Sequence, residues 1–121
     1  MEKLRDKPDD MAKKAADHTD VYKTIFDIVR CVPKGRVTSY GAVAKAAGLK
    51  SGARMVGRAM SYTTGVKPKV PVHRVVNSVG ILSGEHSQRQ KMLEKEGVAV
   101  GGGRVIDYKK LFWDPLTELT F

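Results

Sequence analysis

The segment Ser51-Gly52-Ala53-Arg54-Met55-Val56-Gly57-Arg58-Ala59-Met60 sets two arginines four residues apart among glycines and alanines. Four residues is about one helical turn, so Arg54 and Arg58 fall on one helix face. Guanidinium groups on a face otherwise built of small side chains suit a shallow fit against a sugar-phosphate wall, as in minor-groove binding. A major-groove reader more often projects several long polar side chains toward base edges. Glycine inside a helix costs about 1 kcal/mol relative to alanine, a cost that makes sense where another backbone comes close. That backbone can be a nucleic acid's or a neighbouring helix's, and the segment alone does not choose.

A second group of polar residues lies in Pro71-Val72-His73-Arg74-Val75-Val76 and at Glu96. His73 can hold its loop through hydrogen bonds, with Glu96 as a partner or helix-end anchor. Arg74 reads as a buried structural cation, paired with an acid or bonded to carbonyls. The single cysteine, Cys31, cannot close an internal disulfide and rules out Cys-rich zinc sites. It reads as a buried small hydrophobe near a helix end. No metal and no cofactor is expected.

The charge distribution points the same way as the arginine helix. The net charge is +9, yet residues 1–20 and 72–121 are nearly neutral, so residues 21–71 supply the excess. One-signed charge inside an otherwise balanced domain is the footprint of a polyanion-binding face. A chain of 121 residues is a single-domain length. No apolar run reaches the roughly 18 residues needed to span a bilayer, and a soluble, reducing-compartment protein without membrane contact is expected.

These residues need elements to position them. Residues 1–18 are charged and mixed in sign, and read as a flexible arm ahead of a domain over 19–121. Asp20 is expected to cap a helix whose inward stripe is Val21, Ile25, Ile28, Val29 and Val32, ended by Pro33 and Gly35. Thr38 or Ser39 caps a helix from Tyr40 to Ala47, closed at Gly48. A further helix runs from near Ser51 to about Ser61, and Ala44 and Gly48 suit the crossing and turn of a helix-turn-helix. Val70 to Asn77 reads as extended, and Asn77-Ser78-Val79-Gly80 as a turn back to Ile81-Leu82. A helix from His86 to Glu96 turns Met92 and Leu93 inward, and residues 98–106 form a hairpin tipped by Gly101-Gly102-Gly103. Leu111-Phe112-Trp113 packs the tail onto the core. The fold class is mixed α/β, mainly α: one winged-helix-like domain with a helix-turn-helix and short β-hairpins.

Several of these segments together resemble the O6-alkylguanine-DNA alkyltransferases. Val32-Pro33-Lys34-Gly35-Arg36-Val37-Thr38-Ser39-Tyr40-Gly41 is similar to the start of that family's DNA-binding domain, and Ala53-Arg54-Met55-Val56-Gly57 to its recognition helix. Pro71-Val72-His73-Arg74-Val75 matches the active-site Pro-Cys-His-Arg-Val with one change, and Ser83-Gly84 and Glu94-Lys95-Glu96-Gly97 match later signatures. The resemblance covers roughly residues 20–100 in one order and spacing. In that family a thiolate, generated through the neighbouring histidine and a glutamate, takes the alkyl group. Val72 stands at the acceptor position, and valine has neither lone pair nor ionisable proton. His73 and Glu96 are then relay remnants, and no residue is assigned as catalytic.

Chains with this pattern and a replaced cysteine resemble the alkyltransferase-like proteins, which bind O6-alkylguanine without repairing it and flag it for nucleotide excision repair. The resemblance implies DNA contacts from Thr38, Ser39, Tyr40, Ser51, Gly52, Ala53, Arg54, Gly57 and Arg58, with Tyr40 helping to rotate the nucleotide and Arg54 filling the space left. It implies a lesion pocket of Tyr40, Pro71, Val72, Val76, Leu82, Ser83 and Gly84. The implied partners are double-stranded DNA, preferably with O6-alkylguanine, and nucleotide excision repair proteins, with the chain a monomer. The expected location is the cytoplasm, on the nucleoid, in a bacterium, or the nucleus in a eukaryote. The alternatives are a sequence-specific helix-turn-helix regulator and a family member retaining only nonspecific DNA affinity.

Overall fold

The computed structural model describes residues 20–50, 52–82 and 86–119. The expected arm over 1–18 lies outside the described residues, as do Ser51, Ser83 and Gly84 among the site candidates. Helix α1 covers residues 20–30 and buries Ile25, Phe26, Ile28 and Val29, with Val32 just beyond its end. Asp20 is not its cap: it already lies in the helix, where its carbonyl accepts a hydrogen bond from Thr24 Oγ1 at 3.1 Å. The apolar stripe marks where the helix meets the core, and the backbone is already helical ahead of it.

After a turn in which Gly35 adopts φ 85°, strand β1 (Thr38–Ser39) leads directly into helix α2 (Tyr40–Ala46). Ser39 is the cap, its hydroxyl accepting from the Ala42 amide at 3.0 Å. Gly48, at φ 76°, turns the chain, and helix α3 (Ala53–Met60) packs across α2 as a helix-turn-helix. Helix α3 begins at Ala53 rather than Ser51 because Gly52 occupies the N-cap position, wedged against α2. A methyl group on Gly52 would lie 2.4 Å from Leu49 Cβ and 3.2 Å from Ala44 Cβ. Around Gly57, in the middle of α3, a methyl group would meet nothing within 4 Å. The two glycines of one helix therefore answer two different requirements: one admits α2, the other leaves a surface open.

The stretch expected to be extended from Val70 to Asn77 is broken by a 3₁₀ turn, Val72–Arg74, in which the Arg74 amide bonds back to the Pro71 carbonyl at 3.0 Å. Only Val75–Val76 forms a strand, β2, and it pairs in parallel with β1, Thr38 opposite Val75 and Ser39 opposite Val76. Successive strand residues point to opposite sides. Val75 accordingly joins the cluster of Ile25, Val29, Val43, Val56 and Ala59, while Val76 joins Val37, Leu82, Leu93, Val98 and Val105. Beyond β2, Asn77 Oδ1 accepts from the Val79 and Ile81 amides, the expected turn.

Helix α4 (His86–Lys95) lays Leu93, fully buried, on the second cluster, with Met92 half-buried beside it. Strands β3 (Val100–Gly101) and β4 (Arg104–Val105) form the expected hairpin, but Gly101 is a paired strand residue opposite Arg104. The two-residue tip is Gly102-Gly103, both at positive φ, the backbone a tight hairpin turn demands. Two short helices follow, α5 (Tyr108–Leu111) and α6 (Pro115–Glu118). Between them the tail lies beside β1: Val37 donates to the Leu111 carbonyl at 3.1 Å, and its own carbonyl accepts from Trp113 at 2.7 Å. Arg36 reinforces this contact with hydrogen bonds to the Leu111 and Phe112 carbonyls at 2.9 and 2.7 Å.

A buried carboxylate ties these parts together. Glu96, just past α4, accepts from Arg74 Nε at 3.0 Å and Nη2 at 2.7 Å, from His73 Nε2 at 2.7 Å and from the Gly35 amide at 3.3 Å. Arg74 also reaches the Val32 carbonyl at 2.9 Å. Burial alone would raise the Glu96 pKa, but the bonds from Arg74, His73 and Gly35 outweigh it and hold the carboxyl at about 2, below its ordinary 4.5. For His73 burial wins over the attraction of Glu96, and its pKa falls below 6.5. A neutral His73 facing an ionised carboxylate carries its proton on Nε2, so its buried Nδ1 is an acceptor, without a partner among the described residues.

The two glycines and the buried carboxylate can each be tested by unfolding. Gly52→Ala is expected to destabilise by about 2 kcal/mol in urea unfolding, through overpacking against α2. Gly57→Ala should instead be neutral or stabilising by up to about 1 kcal/mol; equal losses would contradict the division between the two glycines. Because both folded-state pKa values are depressed, the stability contributed by Glu96 and His73 is present at neutral pH and lost on acidification. Stability should decline as pH falls below 6.5, and again as it falls from 4.5 toward 2. Glu96→Gln should lose about 3 kcal/mol at pH 7 and flatten the lower stage; an unchanged acid limb would assign it to another carboxylate.

Candidate nucleic-acid interface

Helix α3 has two faces set by its spacing. Val56, Ala59 and Met60 are buried against α1 and α2, whereas Ala53, Arg54 and Arg58 are exposed and Gly57 is half-exposed. Among the described residues Arg54 and Arg58 make no ion pair, and α3 itself carries no acid. A helix face of this kind offers cations to an approaching polyanion with little side-chain bulk between them.

Beside this face lies a hollow of about 370 Å³, within the size range of small-ligand pockets. One wall is α3, through Ala53, Arg54, Gly57, Met60 and Ser61; Tyr40 stands at the start of α2, and Arg89 of α4 forms the far side. Arg89 Nη1 lies 3.5 Å from the Tyr40 hydroxyl, a long contact. Tyr40 reaches this position because β1 is locked between β2 and the tail, and Ser39 starts α2 at the next residue. A larger hollow of about 530 Å³, between the β3–β4 hairpin and α5, is lined by none of the candidate DNA-contact or lesion-pocket residues.

The structure brings together Tyr40, Ala53, Arg54 and Gly57 around the hollow and leaves Arg58 exposed nearby on α3. Other candidates are placed differently. Thr38 and Ser39 are buried, Ser39 as the α2 cap and Thr38 within the β1–β2 pair, so neither hydroxyl faces outward. Gly52 is buried against α2. Val76 and Leu82, expected to line a pocket, are 0% and 1% exposed and belong to the second apolar cluster, because the strand alternation that sends Val75 to one core sends Val76 to the other. Pro71 and Val72 are half-buried, and Val72 packs on the first cluster. Cys31 is exposed rather than buried: Ile28, Val29 and Val32 take the inward positions around it.

Arg89, Met60 and Ser61 line the hollow without having been singled out from the sequence. A signal for Arg89 existed. Arg89, Leu93 and Glu96 follow i, i+4, i+7 spacing, which places an arginine on the same stripe as a core leucine and the buried carboxylate. The basic block over 21–71 also proves to be mixed in purpose. Arg36 holds the tail, and Arg30 bonds the Pro68 carbonyl and Asp27, whereas Arg54 and Arg58 are exposed on α3.

Residues 20–98 match the family described as 6-O-methylguanine DNA methyltransferase, DNA binding domain. Alkyltransferase-like protein 1 of Schizosaccharomyces pombe is 36% identical over 106 residues, covering 79% of this chain and 96% of its own. A DNA base-flipping protein of Vibrio parahaemolyticus is 40% identical over 94 residues, covering 75% of this chain and 93% of its own. The crystal structure of S. pombe Atl1 in complex with damaged DNA containing O6-carboxymethylguanine is similar with a TM-score of 0.71 at 32% identity, over 78% of this chain and 95% of that one. The geometry and the likeness agree, and the chain belongs to the 6-O-methylguanine DNA methyltransferase family, through its DNA-binding domain.

Proposed function

We propose that this protein recognises O6-alkylguanine in duplex DNA without repairing it, holding the lesion so that nucleotide excision repair proteins can act. The observation that carries this reading is the open, small-residue face of α3, with Arg54 and Arg58 exposed beside the hollow that Tyr40 borders. In this reading α3 lies in the minor groove, where Ala53 and Gly57 let the sugar-phosphate backbone come close and Arg58 pairs with a phosphate. Arg54 enters the duplex where the target base has left the stack. Tyr40 meets the rotating nucleotide at the edge of the hollow. Extrusion costs a few kcal/mol and less for a base whose pairing is already weakened, which gives selectivity for a lesion without any covalent step.

The absence of a transfer step rests on Val72. A side chain of carbon and hydrogen cannot displace an alkyl group, and the relay of His73 and Glu96 has no thiol beside it to deprotonate. Cys31 lies at the end of α1, exposed, forty-one positions ahead of Val72 in the chain. Arg74 and Glu96, with His73, are bound to one another and to backbone groups, and serve the fold. The protein acts as a monomer in this reading, since one chain supplies the helix, the hollow and the tyrosine.

Binding is expected to favour a duplex with O6-methylguanine over the unmodified duplex at every salt concentration; equal affinity throughout a salt titration would leave only nonspecific attraction. Arg54→Ala should weaken lesion binding by about tenfold or more, and Lys45→Ala by clearly less; equal losses would remove Arg54 from the duplex. Incubation with DNA bearing a labelled O6-methyl group should leave no label on the protein, and label recovered on any residue would overturn the non-enzymatic reading.

A further inference from the structure

Arg89 is a half-buried arginine whose guanidinium has no carboxylate partner among the described residues. Its side-chain hydrogen bond among the described residues is the 3.5 Å approach of Nη1 to the Tyr40 hydroxyl. A guanidinium so placed has given up part of its hydration without the paired donors and acceptors that usually offset the loss. Arg30, Arg36 and Arg74 are each bonded to carbonyls or a carboxylate and are held by the fold. Arg89 instead faces a hollow whose lining contains a second arginine, Arg54, and no acid. It is also close enough to His73 for its charge to oppose protonation of that ring.

Building on the function proposed above, we infer that Arg89 is an oxyanion-binding residue in the seat of the extruded nucleotide, and that it sets the preference for lesions rather than the general affinity for DNA. The arginines exposed on α3 meet any duplex that docks. Arg89, on the far side of the hollow, meets only what enters it, so its bonds form with a nucleotide that has left the stack. The oxyanion is supplied by the phosphate of that nucleotide, or by an adduct that itself bears a carboxylate; both offer the fork of Arg89 the same bidentate partner.

The test titrates wild type, Arg89→Gln and Lys91→Gln against three duplexes of one sequence: unmodified, with O6-methylguanine and with O6-carboxymethylguanine. Lys91 is exposed on the same helix, so Lys91→Gln removes one charge away from the hollow. Arg89→Gln is expected to lose about tenfold on the lesion duplexes and less than about twofold on the unmodified one. Lys91→Gln should lose equally on all three. A matched loss on both lesions assigns the phosphate, and a larger loss on the carboxymethyl lesion assigns the adduct carboxylate. Thermal melts that match wild type separate either result from a folding defect, and Arg89→Lys, which keeps the charge, should retain part of the preference. A wild-type lesion preference that survives Arg89→Gln, or a loss equal on lesion and unmodified DNA, overturns this inference alone. Equal binding of all three duplexes by the wild type overturns the function proposed above, and this inference with it.

Discussion

One carboxylate sets the register of the whole fold. Glu96 receives bonds from the turn at Gly35, from the 3₁₀ turn at His73 and Arg74, and does so from the end of α4. Three segments far apart in the chain are thereby fixed to one point. Burying an ion is costly, and this one is tolerated because a guanidinium, an imidazole N–H and an amide replace the water it lost. The two turns it joins lead into β1 and β2, so their parallel pairing follows from the same anchor. Tyr40 then stands where β1 becomes α2. The polar cluster that resembles catalytic machinery is thus the frame on which Tyr40 and the helix-turn-helix are mounted.

Around that frame, residues of one type have been sorted by burial into separate duties. Gly52 is a contact between helices and Gly57 an opening beside them. Among the arginines, Arg36 and Arg74 close the fold through carbonyls and a carboxylate, while Arg54 and Arg58 stay outside. A basic chain can look uniformly suited to a polyanion when only part of its charge is available to one. Arg54 and Arg58 are among the cations left exposed, and on α3 they stand beside the hollow that Arg89 borders.

Much of this was legible in the residues because local physics decides it. The helix-turn-helix is announced by Ser39, Ala44 and Gly48, whose capping, crossing and turning roles depend on a few neighbours each. The structural role of Arg74 was legible for a similar reason, since an arginine inside an apolar run must find acceptors. What was hidden depends on partners distant in sequence. Nothing near Val75 and Val76 reveals that their neighbour is Thr38–Ser39, in parallel, and that pairing alone removes Val76 to a core. Leu82 follows it there. Cys31 is exposed against expectation because a cysteine at a helix end can turn either way, and Val32 takes the inward position. Arg89 is hidden for the same reason: on α4 the arginine stands out only once Leu93 and Glu96 are known to face inward.

The tail beside β1 carries a consequence for the order in which the protein can be made. Helices α1, α2 and α3 meet in one cluster, which Val70 and Val75 complete, and the helices can gather early, since the contacts among them are short in sequence. The strand that introduces α2 is different: Val37 is bonded on one side by Leu111 and Trp113, and Arg36 by Leu111 and Phe112. During synthesis from the N-terminus, α3 emerges more than fifty residues before the segment that steadies the strand leading to α2. A ribosome-bound chain therefore displays the basic helix while its mounting is incomplete, and the geometry around Tyr40 is completed only when Trp113 has left the exit tunnel.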